Sequence, residues 1–321
     1  MTPRFISGIA DFSYCLNKWR YRSMKDPEIF SELEAMGAKA FQLDFLFDHE
    51  GGAENRATIQ QRAAAAGIVL TGAEYGKPTR ELFERQIAAA KELGMTVVRH
   101  AFQPNILLQE RLPLPELESA LRTASEVYAD TGLRYALENH QDYTAEELAD
   151  AFRKVGSPDI GVFLDTGNSI ALLEDPVHTA RVLAPFTFGL HLKEYAVLPA
   201  EGGFQMLGVP LGEGVIDNAS ILEIIAREAP EGTLPVLLEN PVECCRANLL
   251  SEPYRRILGE RRLADLGAVA ALIDASQEKF PEGVTLAFQD PSLSPEQAQE
   301  HERQHNRKAY AAQLKLLEPY L

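Results

Sequence analysis

The chain has 321 residues, a length that one barrel of alternating strands and helices can absorb, so length does not require two domains. With 45% hydrophobic and 24% charged residues it can bury a large core, far from the compositions that stay disordered. Its 31 Lys and Arg against 47 Asp and Glu leave a formal charge of −16, which repels a phosphate backbone and argues against a nucleic-acid partner. Three cysteines, Cys15, Cys244 and Cys245, are too few and too badly spaced for a disulfide framework or a structural zinc site. No apolar stretch approaches the ~20 residues of a bilayer span, and no signal-peptide pattern opens the chain. The expectation is a cytoplasmic protein with no membrane partner.

Apolar runs of strand type recur along the chain at 5–14, 38–45, 68–75, 96–102, 134–140, 160–168, 187–195 and 235–241. Between them lie helical stretches such as 79–93, 115–131 and 144–155, the last opening on a capping box of Thr144 and Glu147. Eight parallel strands joined by crossover helices need both faces covered, and they close most naturally into a (β/α)8 TIM barrel. The rival is an open doubly wound sheet. It calls for a glycine-rich phosphate turn after the first strand, where this chain reads CLNKWRYR. The expected organisation is a single domain over 1–321, with the barrel at about 5–280 and a C-terminal helical extension at about 281–321. Residues 196–216, rich in Gly and Pro, read as a long loop of the kind that closes over an active site. Ser294, Pro295 and Gln297 form a capping box for a helix running toward Leu317, which either clasps the barrel or swaps onto a partner subunit.

Chemistry concentrates at the C-terminal ends of the last four strands: Glu138 in ALENH, Asp165 in FLDTGN, His191 in GLHLKEY and Glu239 in LLENP. A barrel builds its active site at these ends. The four residues are 27, 26 and 48 positions apart, one strand–helix unit for each of the first two gaps and one unit plus the long loop for the third. Three carboxylates and an imidazole around one mouth repel one another and are costly to desolvate unless a divalent cation occupies the centre. Oxygen-rich ligation with one nitrogen suits Mn2+ first, with Mg2+, Co2+ and Zn2+ as alternatives.

With these motifs, and with PLGEGVID at 210–217, residues 5–245 resemble the xylose-isomerase-like TIM barrels. That family contains sugar isomerases, ketose 3-epimerases, dehydratases and sugar-acid lyases. The resemblance implies that Glu138, Asp165, His191 and Glu239 ligate the metal. It also implies that the reaction passes through a metal-bound enediolate of a small keto-sugar or keto-sugar acid. Ketose 3-epimerases typically add a His three residues after the metal Asp, a Glu six after the first metal Glu and an Arg six after the metal His. This chain has Asn168, Thr144 and Val197 there.

Strand alternation puts His140 on the side of Glu138 and Lys193 on the side of His191. Lys18, Arg20, Arg99, His100 and Arg246 follow or end other strands, so positive groups gather at one face of an acidic chain. That pattern suits an anionic substrate such as a sugar carboxylate. The leading expectation is a lyase that decarboxylates a 3-oxo sugar acid, ahead of a sugar-acid dehydratase and of a sugar isomerase or ketose 3-epimerase. Glu138, Glu239, His140 and Lys193 would be its catalytic groups, with Lys18, Arg20, Arg99, His100 and Arg246 contacting substrate. A metal-dependent abasic-site endonuclease and a non-catalytic sugar-binding barrel are the readings from other classes. His301 and His305, four residues apart on the last helix, read as part of a solvated face. Tyr14 and Trp19 read either as core or as a wall for a sugar ring.

Overall fold

The computed structural model describes residues 4–43, 52–102, 111–240, 244–252, 254–255 and 266–321. Eight parallel strands close a barrel: β1 (Arg4–Ala10), β2 (Ala40–Leu43), β3 (Val69–Tyr75), β4 (Val97–Ala101), β5 (Arg134–Glu138), β6 (Ile160–Asp165), β7 (Thr187–Leu192) and β10 (Thr233–Leu238). Each coincides with one of the eight apolar runs. The first stops at Ala10 because Asp11–Tyr14 tightens into a 3-10 turn and Cys15–Arg20 into a π-helical turn. Helices α1 (Asp26–Met36), α2 (Gly52–Ala66), α3 (Arg80–Leu93), α4 (Leu114–Tyr128), α5 (Ala145–Val155), α6 (Pro176–Leu183) and α7 (Asn218–Glu228) alternate with the strands.

Local chemistry explains where these elements start. Helix α5 begins at the expected capping box: Thr144 Oγ1 accepts from the Glu147 amide at 3.2 Å, and Glu147 Oε2 accepts from the Thr144 amide at 3.0 Å. It buries Leu148, Ala149 and Phe152 against the strands and ends at Gly156, whose φ of 67° releases the chain. The lower barrel interior is filled by Ala10, Ala40, Val97, Ala136, Phe163, Phe188 and Leu237. Gly189 makes room for Phe163: a Cβ there would lie 2.4 Å from that ring. Larger apolar side chains on the opposite strand faces form the main core beneath the helices.

Two segments depart from the expectation or resolve it. Of residues 196–216, only 209–216 are loop. Strands β8 (Tyr195–Ala200) and β9 (Gly203–Gly208) form a hairpin that continues into a three-stranded antiparallel sheet with β11 (Cys244–Asn248). The turn falls at Glu201 and Gly202, the glycine at φ 75°. Helix α8 (Leu266–Lys279) packs on β8, and Ser276 Oγ accepts the Val197 amide at 2.8 Å.

The C-terminal helix, α9 (Pro295–Leu317), starts at the Ser294 capping box and clasps the barrel. Its Gln313 amide donates to Ser7 Oγ, Gly8 O and Val236 O at 2.9–3.0 Å, bridging β1 and β10. His301 lies on an exposed face as expected, but the neighbouring Glu302 does not. Glu302 is 2% exposed and accepts the Leu16 and Asn17 amides, and the partly buried His305 bonds the Val209 carbonyl. No helix among the described residues is long and apolar enough to cross a membrane.

Candidate metal centre

Adjacent strand ends bring the four expected ligands together. Asp165 is in register with His191, His191 with Leu237, and the Glu239 amide donates to the Leu192 carbonyl at 3.1 Å. One donor atom from each of Glu138, Asp165, His191 and Glu239 lies within 4.8 Å of all the others, and all four residues are buried. His191 Nδ1 faces Glu239 Oε2 at 2.6 Å, Glu138 Oε1 at 3.2 Å and Asp165 Oδ2 at 3.7 Å.

The second oxygen of each carboxylate is engaged elsewhere. Arg99 Nη2 holds Glu138 Oε2 at 2.5 Å, the Gly167 and Asn168 amides hold Asp165 Oδ1 at 2.9 and 3.0 Å, and Lys193 Nζ lies 2.9 Å from Glu239 Oε1. That leaves Glu138 Oε1, Asp165 Oδ2 and Glu239 Oε2 turned toward one imidazole nitrogen. These three oxygens and one nitrogen, with Lys193 Nζ also 2.9 Å from Asp165 Oδ2, form a donor set that fits a divalent cation.

Electrostatics agrees. Burial alone would lower the His191 pKa, yet Glu239, Asp165 and Glu138 push it up to about 10, so the field at Nδ1 favours a positive charge strongly. Burial works against the Glu239 carboxylate, but His191 and Lys193 hold it well below the usual range. Glu138 is likewise held low against its burial, chiefly by Arg99.

Residues beside the ligands lock them in place. Asn139 of LENH exchanges two bonds with the Asp165 backbone, at 2.7 and 3.0 Å, and so ties β5 to β6. Thr166 of LDTGN accepts the Lys193 amide at 3.0 Å, and Asn218 donates to the Lys193 carbonyl at 3.0 Å. Gly167 lies so close to Tyr195 that a Cβ would come within 2.4 Å of the ring. Glu194 of HLKEY accepts the Gly212 and Ile216 amides at 3.2 and 2.9 Å, pinning the PLGEGVID segment to the end of β7.

The remaining predicted residues divide. Lys193 Nζ lies 2.9 Å from both Asp165 Oδ2 and Glu239 Oε1, and Arg99 also donates to Tyr75 Oη at 3.0 Å, so both sit against the cluster. His140 feels the charges of Glu138, Lys193, Arg99 and Asp165, and its Nδ1 is buried without a hydrogen-bond partner among the described residues. Burial, the largest effect on that ring, lowers its pKa.

His100 was expected at the mouth and is not there. Alternation along β4 sends Arg99 inward and His100 outward, where its ring nitrogens meet Tyr135 Oη at 2.6 Å and Gly76 O at 3.0 Å beside Phe83. Lys18 pairs with the buried Asp11 at 2.5 Å. Arg20 is exposed over the Tyr21 ring, and Arg246 is exposed on β11 opposite Gln205. Tyr14 is core, and Trp19 packs on Phe12.

Sequence reasoning missed Gln42. It is fully buried on β2, with Oε1 2.9 Å from His191 Nε2. Its signal was a polar residue inside the apolar run AFQL. A cleft of about 460 Å3 lies between α9 and residues 208–213, but none of the four ligands lines it.

Residues 30–248 match the xylose isomerase-like TIM barrel family, and the chain belongs to it. Over 169 residues it is 27% identical to 3-oxo-isoapionate decarboxylase of Pectobacterium atrosepticum, covering 52% of this chain and 60% of that protein. Over 191 residues it is 24% identical to the uncharacterized protein YihM of Escherichia coli, covering 60% of this chain and 51% of that one. The chain thus spans between half and 60% of the length of these curated relatives. A solved L-ribulose 3-epimerase superposes with a TM-score of 0.56 at 16% identity, covering 99% of this chain and 98% of that one, a likeness of fold.

Proposed function

We propose that the protein is a divalent-metal lyase of carbohydrate breakdown that decarboxylates a 3-oxo sugar acid. Glu138, Asp165, His191 and Glu239 would hold the cation, Mn2+ first among the candidates, and it would supply the positive charge that stabilises an enediolate. Loss of CO2 breaks the bond from the carboxyl carbon to its neighbour, leaves the electron pair conjugated with the 3-oxo group, and then calls for a proton at that carbon. His140, whose buried Nδ1 has no hydrogen-bond partner among the described residues, would move that proton. Lys193, flanking these residues, would hold the carboxylate until it leaves, together with Arg99 or Lys18.

The observation that carries the lyase reading over an epimerase is the set of residues at three positions. Where ketose 3-epimerases carry extra His, Glu and Arg, this chain has Asn168, Thr144 and Val197. Asn168 gives its amide to Asp165, Thr144 caps α5, and Val197 is buried in β8. The 27% identity to a decarboxylase of a 3-oxo sugar derivative supports the same choice. The test is mass spectrometry of oxidised sugars and sugar acids incubated with the Mn2+-loaded protein in deuterated buffer. Loss of CO2 is the expected result. Loss of water would make it a dehydratase, and deuterium uptake on an unchanged skeleton would return it to the epimerases and isomerases.

A further inference from the structure

We propose that Gln42 is a positioning residue that fixes the ring proton of His191 on Nε2 and thereby sets the affinity of the four-residue cluster for a divalent cation. The inference rests on the metal-centre reading above. Gln42 sits on β2, in register with Ala10 of β1 and Thr71 of β3, across the barrel interior from the ligands. Its Oε1 lies 2.9 Å from His191 Nε2, and both side chains are fully buried. An amide oxygen only accepts, so the contact is a hydrogen bond only when His191 carries its proton on Nε2. In the neutral ring that a cation requires, the lone pair is then on Nδ1, the nitrogen that faces Glu138, Asp165 and Glu239.

The opposite amide orientation would ask His191 to accept at Nε2. That would put the proton on Nδ1, where a cation could not bind. Phe163 packs against the imidazole with ring centroids 4.6 Å apart and the rings tilted by 51°, so Phe163 and Gln42 together hold the ring. Gln42 Nε2 is buried with no hydrogen-bond partner among the described residues. An amide left half unsatisfied in a core is poorly explained by packing and well explained by the one bond it makes. A carboxylate would polarise the imidazole more strongly but would add a fourth acid beside three. The neutral amide orients the ring without that charge.

The test measures Co2+ affinity by calorimetry, with the visible spectrum of bound Co2+, for the full-length protein and for Gln42→Met and Gln42→Glu. Gln42→Met preserves charge and nearly preserves volume, so it isolates the lost acceptor. It should weaken Co2+ about 10–100-fold and alter the Co2+ spectrum, while Gln42→Glu, which still accepts from Nε2, should restore both. Circular dichroism checks the fold of each variant, and Gln42→Leu, which also lacks the acceptor, takes the place of Gln42→Met if the latter does not fold. Wild-type affinity in Gln42→Met, or a loss in Gln42→Glu as large as in Gln42→Met, would overturn the assignment. Wild-type protein that takes up no Co2+ at all would instead overturn the metal-centre reading beneath it.

Discussion

Strands β5, β6, β7 and β10 lead into Glu138, Asp165, His191 and Glu239, whereas β1 to β4 turn Ala10, Gln42, Ala73 and Arg99 toward the same interior. The first half concentrates negative charge around one imidazole. The second is small, neutral or cationic, and two of its members reach across: Arg99 to Glu138 at 2.5 Å and Gln42 to His191 at 2.9 Å. The contrast teaches that the ligand half is not self-sufficient. Glu138 stays ionised because Arg99 of the other half supplies its counter-charge, and His191 stays turned because Gln42 supplies a hydrogen-bond acceptor, whereas Glu239 draws on His191 and Lys193 of its own half.

Removing a ligand should have the largest effect. Glu239→Gln should cut turnover more than about 100-fold with the fold intact by circular dichroism, and a near-normal rate would sink the ligand set. Removing the counter-charge from the opposite half comes next. Arg99→Met leaves Glu138 buried without its guanidinium and should cost the metal-free protein about 3–5 kcal/mol in urea unfolding. A loss under about 1 kcal/mol would show that the two halves are not coupled in this way.

Lys193→Met tests the substrate side of the acidic half. KM for a carboxylate substrate should rise about tenfold more than KM for its neutral analogue, and equal rises would refute the anchoring role. The smallest effect concerns the segment that frames the site. Burial pushes the Glu194 carboxyl up from 4.5 to about 7, against the amides of Ile216 and Gly212 and the charge of Lys279. Because the folded state then binds the proton more tightly than the unfolded chain, this group's contribution to stability falls as pH rises between those values. Wild type should therefore lose about 1–3 kcal/mol relative to Glu194→Gln between pH 4 and 8 in parallel unfolding titrations. A pH-independent difference would remove Glu194 from the account.

Much of this was legible in the linear chain. The eight strands appear as apolar runs at the spacing of one strand and one helix. The four clustered residues appear because polar residues at the ends of apolar strands are costly unless they act together. His100 was misplaced by setting aside the alternation that the same reasoning used for His140 and Lys193, since neighbours on a strand cannot both face the interior. The hairpin of β8 and β9 was read as a loop because its third strand arrives only at Cys244, opposite Leu207, and no local pattern announces a partner so far along the chain. The burial of Glu302, between His301 and His305, was not legible because the amides that justify it, those of Leu16 and Asn17, come from the other end of the sequence.

The sequence by itself determined the barrel, the order of its strands and the four residues that meet at its mouth, because periodicity and strand ends are local properties that closure of the sheet turns into a ring. Only the tertiary structure decided which oxygen of each carboxylate faces His191, which ring nitrogen Gln42 receives, and where α9 clasps the barrel. Those outcomes depend on contacts between residues far apart in the chain, where distance and direction, rather than residue type, set the energy.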